Sequence, residues 1–157
     1  VSGYLLVKWL HILSSVVLVG TGFGSAFYMF FGNRSGSVAA QAVITRLVVR
    51  ADWWFTTPAA VFQPLSGLWL AHAAGWPLST PWLLLALLLY AFAGACWLPV
   101  VWLQLRMARM AQEAARDGTP LPAAFDRCRC WWEGLGYPAF VAMLAIFYLM
   151  VAKPAWD

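Results

Sequence analysis

Charged side chains are scarce in this sequence. Lysine and arginine together number 10, aspartate and glutamate 6, and the four types make up 10% of 157 residues. A soluble domain carries about 25%. Histidine occurs twice and cysteine three times. Three cysteines give no disulfide framework. Cys128-Arg129-Cys130 has no matching second pair and no nearby histidine, which argues against a zinc site. There is no P-loop, no GxGxxG ahead of a helix, no Ser/His/Asp set and no pair of carboxylates within an apolar run. No acid stands deep in any such run, which argues against a transporter relaying protons through an intramembrane carboxylate. The net charge of +4 rests on too few groups for a nucleic-acid surface, and no nucleic-acid partner is expected.

What the chain does have is apolar surface: 63% of its residues are hydrophobic and eleven are tryptophan. Tryptophan favours membrane–water boundaries. Four stretches approach the ~20 apolar residues that a membrane-spanning helix requires. They are residues 4–31, 53–73, 82–105 and 131–152. None alternates with period two, so a barrel is excluded, and backbone groups in lipid are satisfied within each segment as helices. The first run continues about 20 residues past His11, longer than a signal-peptide core, and is expected to be retained. The expectation is one all-α domain over residues 1–157, a four-helix transmembrane bundle whose immediate partner is the lipid bilayer.

Orientation follows from the arginines. Arg34, Arg46 and Arg50 lie between spans one and two; Arg106, Arg109, Arg116, Arg127 and Arg129 lie between spans three and four. The loop 74–81 carries no charge. The positive-inside rule makes the arginine loops cytoplasmic and puts both termini on the outer, periplasmic side. Val38, Val43, Ile44, Leu47 and Val48 mark an amphipathic helix that extends span two or lies on the membrane surface. Span three is expected to run on through Gln104–Ala115 and stop at Asp117-Gly118-Thr119-Pro120, with a short linker, Leu121 to Phe125, after it. Pro58, Pro64, Pro99 and Pro138 should kink helices or mark first turns.

Candidate site residues are few. On a helix turning about 100° per residue, His11, Ser15, Gly22, Ser25 and Met29 share one stripe of span one, with Lys8 a turn before. Gly20, Gly22 and Gly24 crowd its middle. They read either as close helix packing or as the wall of a cavity. His11 is either an interfacial histidine or a metal ligand, since neutral imidazole is a good haem ligand. His72 is the natural second ligand to test. If both spans start level at the arginine end, the two histidines share a depth about 30–33 Å away. Yet His72 points well away from the small, polar face Thr56, Ala60, Gln63 and Gly67. Gln63, a buried amide, needs a partner on a neighbouring helix or a ligand. Arg50 and Asp52 read as interfacial anchors, or Arg50 as part of an anion pocket for a carboxylate or propionate.

Two resemblances bear on this. Trp9-Leu10-His11-Ile12, Arg50-Ala51-Asp52-Trp53-Trp54-Phe55-Thr56-Thr57-Pro58-Ala59, Gln63-Pro64-Leu65-Ser66-Gly67-Leu68-Trp69-Leu70, Trp97 through Met107, and Gly136-Tyr137-Pro138-Ala139-Phe140 resemble the DUF2269 type of small bacterial predicted integral membrane proteins, which carries no assigned activity. Leu10-His11-Ile12, Thr57-Pro58-Ala59 and Ser66-Gly67-Leu68-Trp69 are more distantly similar to HemJ-type protoporphyrinogen oxidases, a small membrane bundle thought to bind haem b. That likeness implies His11 as an axial ligand in a redox protein or oxidoreductase of the bacterial cytoplasmic (inner) membrane; Arg50, read from its own position, is the candidate propionate partner. The alternative expectation is a non-catalytic accessory subunit that packs on a larger membrane partner or on a second copy through Gly20 and Gly24.

Overall fold

The protein is described by a computed structural model over residues 2–155, and every element within them is helical. Helix α1 spans Gly3–Gly32, α2 Val38–Ala51, α3 Thr57–Ala73, α4 Pro81–Asp117 and α5 Ala123–Ala152. A π-helical turn, Asp52–Thr56, joins α2 to α3 without a break, so the chain forms four rods. Helices α1, α4 and α5 are each long and apolar enough to cross a membrane. Helix α3 alone has 17 residues. With the π turn the run from Asp52 to Ala73 rises about 33 Å, close to the ~30 Å of a hydrocarbon core.

Helix ends follow local chemistry. Ser37 caps α2 by accepting the Ala40 amide at 3.2 Å. Helix α4 runs on past the apolar stretch to Asp117, and Gly118 then turns the chain at φ 66°, a left-handed step that glycine takes without strain. Helix α5 begins at Ala123. The expected linker therefore shrinks, and three rods project beyond the apolar zone at the arginine-bearing end.

Two prolines shape the second rod. Pro58 has no amide proton, and its ring crowds the carbonyl four residues back. Immediately before it the helix widens, and the Thr57 amide bonds the Asp52 carbonyl five residues away. Pro64 likewise leaves the Ala60 carbonyl without its helical donor. The Tyr90 hydroxyl of α4 donates to that carbonyl at 2.6 Å, as a backbone group in lipid requires.

The core is packed at both ends. At the arginine-bearing end Met29, Val48, Leu103, Met107, Ala111, Phe125 and Trp132 join α1, α2, α4 and α5. At the other end Ala71, Trp82, Leu83, Ala86, Ile146 and Leu149 join α3, α4 and α5. Between them α1 and α5 meet at few points, among them the Phe23–Phe140 ring pair at 5.4 Å and an ion pair from Arg34 to Glu133 at 2.8 Å. The middle of the bundle is left hollow.

Phe125 is 2% exposed in the arginine-end core, whereas Tyr148 is 68% exposed on the lipid side. Phe125→Ala is expected to cost about 3–5 kcal/mol of stability, read as a lower unfolding midpoint in detergent. Tyr148→Ala should leave the midpoint unchanged.

Candidate functional site

Two polar clusters lie inside the bundle, at different depths. The first locks α1 to α3. The Gln63 amide nitrogen donates to the His11 carbonyl at 2.7 Å and to the Ser14 hydroxyl. Ser66 Oγ lies 2.7 Å from the Phe62 carbonyl and, across to α1, shares a hydrogen bond with His11 Nδ1, also at 2.7 Å. The ring lies across Gly67, where a Cβ would stand 3.2 Å from His11 Cε1. Glycine at 67 therefore makes room for the histidine.

These bonds fix the antiparallel register. His11 pairs with Ser66 and Ser14 with Gln63, and at the far end Gly32 packs on Ile44. His72 lies six residues past Ser66, about 9 Å further along the axis, and is exposed. Starting the two spans level puts the histidines at one depth; the register sets them at different depths. It also carries Asp52 inward, roughly level with Ser25, about 10 Å inside the end of α1.

Asp52 departs most from expectation. It is not an interfacial anchor beside Arg50: Arg50 is exposed, while Asp52 is 7% exposed. One carboxylate oxygen accepts from Thr56 Oγ1 at 2.8 Å. The other accepts from the Gln104 amide nitrogen at 2.6 Å, and the Gln104 oxygen accepts from Trp132 Nε1 at 3.2 Å. The opposite amide orientation would set acceptor against acceptor and donor against donor. The second acid, Glu133, holds Arg34 through two contacts of 2.8 and 3.1 Å and lies 3.5 Å from Arg129. Arg34 is a permanent cation whose pKa the Glu133 bond pushes further up. So the spans do contain carboxylates, and one of them has no cation beside it among the described residues.

Asp52 and Thr56 open onto a cavity of about 440 Å³ between α1, α4 and α5. Phe23, Phe27, Tyr90, Trp97, Phe140 and Met143 give it apolar walls. Gly22, Gly94 and Gly136 also line it, and a Cβ on any of them would meet nothing within 4 Å. Gly20 and Gly24 likewise press on no neighbour. In this chain Gly20, Gly22 and Gly24 do not mark close packing between its own helices; Gly22 widens the hollow.

His11 and Gln63 thus come together, while His72 and Arg50 stand apart from them and from the cavity. Among the described residues no three His, Cys, Asp or Glu side chains converge on a point where a metal would sit. A haem b held by His11 would lie outside this cavity. No histidine lines the cavity, and His11 rests on Gly67, bonded to Ser66. Gln104, Trp132 and the inward role of Asp52 escaped the sequence reading. The signal was present: Asp52 lies four residues before Thr56, the first member of the polar face of span two.

Gln63→Leu removes the two donations to α1. The expected cost is about 0.6–1.7 kcal/mol, the range of hydrogen bonds between membrane helices, measured as reversible unfolding in mixed micelles.

Comparison with known proteins adds a family. The model of a predicted integral membrane protein family, DUF2269, matches residues 5–154. No curated protein and no solved structure matches the chain.

Proposed function

Because the chain belongs to the DUF2269 family of predicted integral membrane proteins, and given its hollow bundle, we propose that it takes an apolar molecule out of the bilayer and holds it between α1, α4 and α5. One observation carries this reading: the space at mid-depth is lined by three glycines with nothing against them and by aromatic rings. Cavities of roughly 300–1,000 Å³ with apolar walls and a few polar groups are the usual form of small-molecule sites. The gap between α1 and α5 gives the molecule a sideways route from lipid. Its frame is Phe23–Phe140 on one side and Arg34–Glu133 on the other.

The membrane is the bacterial cytoplasmic one in this reading. Its arginine-bearing end faces the cytoplasm and both termini face outward. The exposed Gly20 and the unopposed Gly24 favour one addition: a helix of a second copy or another subunit can approach α1 there. A haem held by His11 would lie outside the cavity, so it belongs to a separate reading.

The test is to purify the protein gently from membranes and identify what comes with it by mass spectrometry. Wild type should carry an apolar molecule at near one per chain. Gly94→Phe and Gly136→Phe, which fill the hollow, should each lose most of it while remaining folded. Equal amounts in wild type and filled variants would contradict the proposal. An absorbance spectrum with a Soret band that disappears in His11→Ala would establish the haem reading in its place.

A further inference from the structure

The floor of the cavity holds a carboxylate without a counter-charge. Among the described residues Arg34 and Arg129 are committed to Glu133, Arg129 also to Asp126, and Arg116 to Asp117; no basic group reaches Asp52. A carboxylate offers about four acceptor sites. Thr56 and Gln104 use one on each oxygen. Asp52 also lines the cavity, which gives its remaining capacity a space in which a ligand can meet it. A charge buried at this depth is costly unless it is paired. Aromatic rings, among them Phe27, Trp97 and Phe140, line the walls, and ring faces attract cations as well as apolar chains.

The π turn fits the same purpose. Widening the helix at Asp52–Thr56 sets the carboxylate and the Thr56 hydroxyl together, and π turns recur where a side chain must be aimed. Gln104 and Trp132 brace the carboxylate from α4 and α5. Neither brings a positive charge. Everything the chain supplies to Asp52 is a neutral donor, and a cationic occupant supplies the partner the chain lacks.

We propose that Asp52 recognises the head of the molecule in the cavity, and that this molecule is an amphiphile with a protonated amine head and an apolar body. The amine donates to the free lone pairs of Asp52 and supplies its counter-charge. The body lies along Phe27, Trp97 and Phe140 toward the gap between α1 and α5. This inference rests on the cavity being a binding site for an apolar molecule.

Two photoreactive probes of equal chain length, an alkylamine and the matching alkyl alcohol, separate the two claims. The full chain in nanodiscs of zwitterionic lipid is labelled and its peptides are read by mass spectrometry. The amine should label cavity-lining peptides of α1, α4 and α5 about tenfold more than the alcohol, the preference a charge-assisted hydrogen bond provides. Asp52→Asn should erase that preference and leave the alcohol signal as it was; Asp52→Glu should keep part of it. Equal labelling by both probes in wild type would overturn the assignment of an amine head, whatever the variants do, and leave the cavity as a site for neutral molecules. No labelling of the cavity by either probe would overturn both claims.

Discussion

The register of α1 against α3 is the constraint on which the rest depends. It is set by Gln63, whose amide reaches the His11 carbonyl and the Ser14 hydroxyl, and by the His11–Ser66 bond. In lipid, apolar surface does not choose between neighbouring helix registers, because the tails are as apolar as leucine. Polar side chains and small residues make that choice. A shift by one turn would unpair Gln63 and drive the His11 ring off Gly67. Once the register is set, Met29 meets the arginine-end core and Asp52 falls inside the span.

The hollow middle then follows from what stands on the other two rods. Helices α4 and α5 pack closely on each other, and α2 wedges against α4 at the arginine-bearing end. At mid-depth, α1, α4 and α5 face one another with Gly22, Gly94 and Gly136. Glycine side chains leave space unless backbones close on it, and here they do not. Tyr90 spans part of the distance and satisfies the carbonyl that Pro64 orphans. The proline and the tyrosine thus tie α3 to α4 at one point without closing the space. The polar groups at the cavity floor are held by their own network, so the site is shaped before any ligand arrives. Such preorganisation lowers the cost of binding.

Much of the fold was legible. Apolar runs located the four rods, and the amphipathic pattern from Val38 located the helix ahead of span two. Register was not legible, because periodicity gives the face of a helix and says nothing of its offset against a neighbour. That gap explains both histidines: level starts put His11 and His72 at one depth, and the offset puts Ser66 beside His11 instead. It also explains Asp52, which reads as a boundary residue when Arg50 stands two positions away. The π turn adds a second cause. It changes the angle per residue after Asp52, so a regular helical wheel cannot relate the direction of Asp52 to the polar face of α3. Gln63 shows the opposite case. A lone amide in an apolar run must find a partner, and it did, on α1.

The central claim is that a chamber stays open at mid-depth in lipid, with Asp52 at its floor. An experimental structure of the protein in a nanodisc, prepared without added ligand, tests it most directly. The account predicts elongated density between α1 and α5 that ends against the Asp52 carboxylate. Helices α1 and α5 packed together, with Gly22 and Gly136 in contact with neighbouring backbone and no density beside Asp52, would contradict it.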